Sequence, residues 1–106
     1  MNRPTRFYSS KQEKKVAKEV GGKQVVNSGA TRFNKGDVIT DSWLIECKTK
    51  TKKSDSITLK KEWIEKNKEE AFAMNKLYSA IAIDFGDGEQ YYIVDAKIFR
   101  KFIESL

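Results

Sequence analysis

The stretch "GDVITDSWLIECKTK", Gly36 to Lys50, decides how this chain is read. It holds the only cysteine, Cys47, between Glu46 and Lys48, with Asp37 nine residues before Glu46. "DVIT" and "WLIECKT" read as two strands joined at Asp41-Ser42. With those two residues as the turn, Thr40 pairs with Trp43, Ile39 with Leu44 and Val38 with Ile45. Asp37 then falls directly opposite Glu46. Side chains on paired strands share a face and stand about 4.5–5.5 Å apart at Cβ. Alternation puts Lys48 on that same face and turns Cys47 the other way, with Ile45 and Val38. The cysteine is then a core residue between two site residues. A buried thiol behaves as a small hydrophobe, and the chain has no histidine to activate it.

Ile39 and Leu44 share the face of the acids. Both faces of these strands are therefore apolar, as expected of a sheet covered by helices. Two carboxylates directly opposed on paired strands repel each other. A divalent cation held by hard oxygen ligands relieves this, and Mg²⁺ typically takes one or two carboxylates and keeps several waters. Lys48 beside such an ion can orient or deprotonate an attacking water, or steady charge developing on phosphate. The plain structural alternative is a cross-strand ion pair, in which Lys48 neutralises Glu46 or Asp37; D…ExK is a short and common pattern. The matched hairpin positions, in the most apolar part of the chain, favour the metal.

A further acid lies upstream. "SSKQEKKVAKEVGG" reads as a helix, capped by Ser9 or Ser10 and stopped by Gly21-Gly22. Glu13 precedes Val16, Ala17 and Val20 by three, four and seven residues and so shares their apolar stripe. A carboxylate on an apolar face is costly unless paired or bound to metal. Glu19, at the edge of the stripe, is its rival.

The remaining segments complete an alternating pattern. "KQVVNS" is a short strand and "SGATRFNKG" a polar loop. "KTKTKKSDS" is a basic loop. A helix from about Lys60 carries Trp63, Ile64, Asn67, Ala71 and Met74 at helical spacing. "YSAIAIDF" and "EQYYIVD" are strands around the turn Gly86-Asp87-Gly88. Asp95 caps a last helix with Ile98, Phe99, Phe102, Ile103 and Leu106 on one face. The order is α-β-β-β-α-β-β-α, an α/β domain with helices packed on a central mixed sheet. Trp43, Trp63, Tyr91 and Tyr92 are read as core or interface rather than as stacking platforms for bases.

Composition narrows the chemistry. The 106 residues suit a single domain, 1–106, with one modest core. Lysine and arginine outnumber aspartate and glutamate 21 to 15, a balance that suits a polyanionic partner as well as simple solubility. The absence of histidine removes the usual zinc sites and every mechanism with a histidine base. An enzyme built on this chain works with carboxylates, lysine and a metal. No apolar run reaches the length of a membrane span, and the opening "MNRPTRFYSSKQEKK" carries no signal-peptide pattern. One cysteine gives no internal disulfide, so an intracellular, cytoplasmic setting is expected.

These residues resemble the PD-(D/E)XK nuclease superfamily, and within it the archaeal-type Holliday junction resolvases, which have phage-encoded relatives. The resemblance runs from about Lys11 to Phe85. It rests on the helix glutamate Glu13, the loop serine Ser28 in "NSGATRFNKGD", Asp37 opening a strand, and Glu46-Cys47-Lys48 as E-x-K on the next. "ITLKKEWIEKNKEEA" is similar to the family's second helix and "AIAIDF" to its following strand. Gly36 stands where the superfamily name implies proline.

The resemblance implies a restriction-endonuclease-like core and a Mg²⁺-dependent endonuclease acting on branched DNA, the four-way junction, with Mn²⁺ able to substitute. It implies that Glu13, Asp37 and Glu46 hold one or two metal ions, with the main-chain carbonyl of Cys47 as an extra ligand. Lys48 positions or activates the water, and Ser28 lies near the scissile phosphate. Two symmetric cuts imply a homodimer, in the cytoplasm of a bacterial or archaeal host cell, with a phage as one source of such a chain. Arg32, Lys35, Lys50, Lys52, Lys53 and Lys14 are the expected phosphate contacts, which position DNA without reading its sequence. The other readings are a same-fold nuclease for flap, single-stranded or duplex DNA, a non-catalytic DNA-binding module, and a protein whose charges are purely structural.

Overall fold

The computed structural model describes residues 5–25 and 37–106, with the side chains of Thr5 and Arg6 left aside. Three helices and one five-stranded sheet follow in chain order: α1 (Thr5–Val20), β1 (Lys23–Gln24), β2 (Asp37–Ile39), β3 (Trp43–Thr49), α2 (Lys61–Ala73), β4 (Tyr78–Asp84), β5 (Gln90–Ile93) and α3 (Ala96–Glu104). This is the order expected from the sequence. The sheet is open and mixed, with spatial order β1-β2-β3-β4-β5. Only β3 and β4 run parallel, and α2 is the crossover between them. The other neighbours are antiparallel.

The hairpin register is the expected one. Asp37 pairs with Glu46, Val38 with Ile45 and Ile39 with Leu44. The turn is fixed by Thr40, whose N–H donates to the carbonyl of Trp43 at 3.0 Å. Its hydroxyl oxygen accepts from the N–H groups of Ser42 and Trp43. From there alternation sorts the sheet into two faces. Val38, Ile45, Ala80 and Ala82 pack with Val16 of α1, and Cys47 joins that cluster. Leu44, Ile81 and Ile83 are buried on the opposite face, where α2 lies. The Asn67 amide of α2 donates there to the Ala80 carbonyl at 3.0 Å.

α1 starts four to five residues before the serines expected to cap it. Ser9 and Ser10 lie inside the helix, because "TRFYSSKQEKK" contains no residue that breaks a helix and serine is only mildly unfavourable there. The strand expected over "KQVVNS" is Lys23–Gln24 in the described residues, prolonged by the Val25 N–H donating to the Asp37 carbonyl. α2 ends in a Schellman arrangement. Asn75 adopts φ 59°, the Lys76 N–H reaches the Ala71 carbonyl and the Asn75 N–H reaches that of Phe72. α3 begins as expected: the Asp95 carboxylate accepts from the Ile98 N–H at 2.9 Å. Among the described residues no helix is long and apolar enough to cross a membrane.

Gly86, at φ +93°, closes the β4–β5 connection onto the basic loop. A Cβ there would stand 2.6 Å from the Lys52 carbonyl oxygen, so loop and turn pack backbone to backbone.

Candidate metal and nucleic-acid site

Asp37 opens β2 and is 0% exposed. Glu46, opposite it in the middle of β3, is 8% exposed. Among the described residues neither oxygen of Asp37 has a hydrogen-bond partner, and neither does Glu46 Oε2. Burying an ionised carboxylate without a partner costs several kcal/mol or forces it to take a proton. Accordingly Asp37 is pushed up to about 8, by burial first and then by the negative charges of Glu46, Glu70 and Glu13, against a smaller opposing pull from Lys48. Glu46 is also raised, again by burial first, with Lys48 and Lys66 pulling down and Glu70 pushing up.

Lys48 shares the face of the two acids but forms no ion pair within 4 Å with either. The ion pair found among the described residues joins Lys68 to Asp95. The Lys48 ammonium stands instead 4.3 Å from the ring centroid of Trp63 on α2. A cation over an indole face is held at a defined place yet keeps its charge. This arrangement does not match the simple cross-strand ion pair.

Cys47 faces α1, as the alternation requires, and burial pushes its thiol well up from the ordinary value, helped by Glu13, Asp37 and Glu46. It is a poor nucleophile here. Glu13 is half-buried on α1, close enough to raise both Asp37 and Cys47. Glu19, the rival, is exposed and accepts a hydrogen bond from the Tyr92 hydroxyl across the α1 face. Of the expected phosphate contacts, Lys14, Lys52 and Lys53 are exposed and Lys50 is half-buried. Ser28, Arg32 and Lys35 lie outside the described residues.

Two residues join the site that sequence reasoning passes over. Glu70 of α2 is half-buried, its Oε2 has no hydrogen-bond partner among the described residues, and its charge raises both Asp37 and Glu46. The sequence does carry a signal for it: Glu70 follows Asn67 by three residues and Trp63 by seven, on the inner face of the helix. Gln12 of α1 is 2% exposed and donates to the carbonyl of Lys48 at 3.0 Å. It precedes Val16 by four residues, and so lies on the apolar stripe that Glu13 also borders.

The donor set suits a hard cation. Unpartnered, buried carboxylate oxygens from Asp37 and Glu46 are the ligands Mg²⁺ takes, and two carboxylates with waters are enough for it. Among the described residues no group of three or more His, Cys, Asp or Glu side chains is arranged to hold a metal by itself. The fit is therefore to an ion that completes its shell with water and substrate oxygens. Comparison of the chain with protein families, with curated proteins and with solved structures found no match.

Proposed function

We propose that this chain is a Mg²⁺-dependent, structure-selective DNA endonuclease, and specifically a Holliday junction resolvase with a restriction-endonuclease-like core. One observation carries the reading: a fully buried aspartate registered against a buried glutamate, both short of partners, with a lysine on the same face that is not spent on neutralising them. An acidic pair of this kind is expensive to keep without an ion between its members. The order of elements and the placement of the acids on the central strands support the fold reading.

Asp37 and Glu46 would hold the ion, with Glu13, half-buried on the neighbouring helix, and the main-chain carbonyl of Cys47 completing its protein ligands. When bound, the ion supplies Lewis-acid stabilisation of the phosphoryl oxygens. Lys48 shares the face of the two acids, with its Nζ over the Trp63 ring. It positions the attacking water and steadies charge that develops on phosphate. Ser28, nine residues before Asp37 in sequence and outside the described residues, is the residue that the family resemblance would assign to the scissile phosphate.

The basic loop leaves β3 after Thr49, one residue beyond Lys48, and in this reading its Lys50, Lys52 and Lys53 would contact phosphates of the bound DNA. Lys14, exposed on α1, would add to that surface; Arg32 and Lys35, ahead of Asp37 in sequence, are expected phosphate contacts outside the described residues. Phosphate contacts of this sort recognise shape, and affinity should fall steeply with salt. A two-fold partner supplies the second cut. Phe99, 56% exposed on α3, offers an apolar anchor for it, whereas Phe102 is partly engaged with Trp43 at 6.1 Å between ring centroids.

The deciding experiment is cleavage of a labelled four-way junction beside matched duplex and flap DNA, with Mg²⁺ and with EDTA, for the wild type and Glu46→Gln. Paired symmetric nicks confined to the junction, dependent on Mg²⁺ and lost in the variant, are expected. Cutting of flap or duplex instead keeps the nuclease and discards the junction. Binding without cutting leaves a DNA-binding module.

A further inference from the structure

Gln12 is an unusual residue for its position. It lies on the buried stripe of α1, where an apolar side chain would pack without needing partners. Its amide nitrogen has three acceptors in reach: the carbonyl of Lys48 at 3.0 Å, that of Ala82 at 3.1 Å and Gln90 Oε1 at 3.0 Å. An amide oxygen in the same place would face three oxygens, so the acceptors fix which way the group points.

The contacts continue past it. Gln90 Nε2 donates to Asp84 Oδ2 at 2.8 Å and to the Gly88 carbonyl at 3.3 Å. Asp84 Oδ1 takes the N–H groups of Gly86 and Gly88. The Asp84 main-chain carbonyl takes the Lys50 N–H, and the Phe85 carbonyl takes the Ser54 N–H. One polar chain therefore starts at the backbone of Lys48 and ends in the basic loop. It runs on the α1 face, while the Lys48 side chain stands on the α2 face over Trp63.

We propose that Gln12 is a positioning residue: by gripping the Lys48 carbonyl from the α1 face, it sets where the Lys48 ammonium stands beside Asp37 and Glu46, and through Gln90 and Asp84 it ties that placement to the basic loop. The inference rests on the reading of Lys48 as the group that meets the scissile phosphate. Loss of outer hydrogen-bond partners that orient metal-ligating groups typically costs about 10–100-fold in affinity or activity, and an effect of that order is expected for a group that orients Lys48.

The test reads Lys48 directly. The Lys48 Nζ stands over the Trp63 ring at 4.3 Å and that of Lys60 at 5.9 Å, so the ε-methylene protons beside them are expected to shift upfield in the NMR spectrum. The Lys48 signal is assigned as the one lost in both Trp63→Leu and Lys48→Met and kept in Lys60→Met. In Gln12→Met that signal is expected to collapse toward those of the other lysines, and turnover to fall about tenfold or more with KM unchanged. Ile98→Ala, in the core of α3, serves as a destabilised control that keeps the signal. A folded Gln12→Met with the Lys48 signal at its wild-type position overturns the proposal. Should Gln12→Met not fold, Gln90→Met cuts the chain one link further on. Amide exchange at Lys50 and Ser54 is then expected to rise at least about tenfold, and unchanged exchange overturns the coupling. A wild type that cuts no DNA with Mg²⁺, yet loses the signal in Gln12→Met, removes the nuclease reading and leaves the positioning standing.

Discussion

Asp37 and Glu46 face each other across a strand pair, and among the described residues no ion pair balances their charge. Lys48, two residues beyond Glu46 on the same face, is drawn aside to Trp63. The pair is thus suited to receive a positive charge from outside the fold.

Removing either acid should separate binding from cleavage. Asp37→Asn and Glu46→Gln are each expected to lower Mg²⁺-dependent cleavage by more than about 100-fold, beyond what loss of a supporting residue costs. Binding of the same DNA, measured by anisotropy, is expected to hold within a few-fold, because the basic loop is untouched. Equal loss of both would speak against a metal site.

The metal-free protein should lose stability as pH rises. Asp37 carries a folded-state value raised from 3.8 to about 8. A raised acid binds its proton more tightly when folded, so its favourable contribution is present below the unfolded value and fades as pH climbs toward about 8. A tenfold difference in proton affinity between the two states is worth about 1.4 kcal/mol. Thermal unfolding in EDTA at pH 5 and pH 8 is expected to show a lower Tm at pH 8. Asp37→Asn should narrow that gap, with a gain of at least about 1 kcal/mol at pH 8. Added Mg²⁺ should restore the wild type at pH 8 by binding the folded state alone.

Cys47 should prove inert. Burial holds its thiol protonated at neutral pH, so reaction with a thiol reagent is expected to be at least about tenfold slower in the folded protein than in denaturant. Cys47→Ala should keep at least partial cleavage and cost about 1 kcal/mol of stability for the apolar packing removed. A folded variant with no activity would mean that the side chain is not merely core.

Gly86→Ala tests the seam between turn and loop. The new Cβ meets the Lys52 carbonyl at 2.6 Å in a backbone region that L-residues rarely adopt. A loss of about 1–3 kcal/mol is expected by denaturant unfolding. The displaced loop should also weaken DNA binding and flatten its salt dependence, by about one unit of slope for each phosphate that the loop no longer reaches.

The hairpin is legible in the sequence because everything that fixes it is local. A turn at Asp41-Ser42 and strict alternation leave one register that buries Val38 and Ile45 on one side and Leu44 on the other. Asp37 and Glu46 follow from that without further information. What lies beyond the sequence depends on how helices dock. Helical spacing alone allows either Gln12 or Glu13 to point inward, and only the packing of α1 on β3 and β4 brings Gln12 to the carbonyls of Lys48 and Ala82. Similarly, helical spacing puts Trp63 on an inner face, but its meeting with Lys48 requires the α2 crossover to be laid over β3. The start of α1 escapes a reading of the sequence because serines that often cap helices are also tolerated within them.

The parallel pairing of β3 with β4 has a consequence for the order in which the chain folds. The β2–β3 hairpin closes on contacts within a dozen residues or so, whereas β3 cannot meet β4 until the whole α2 segment has been traversed. Local pairings form early and distant ones late, since long loops cost more entropy to close. The two acids therefore belong to a pairing local in sequence, as the β4–β5 pairing also is, and on contact order it precedes their enclosure by Trp63 and Glu70. If Mg²⁺ binds the pair as proposed, it is expected to speed refolding as well as to stabilise the finished fold, which stopped-flow refolding with Mg²⁺ and with EDTA would show.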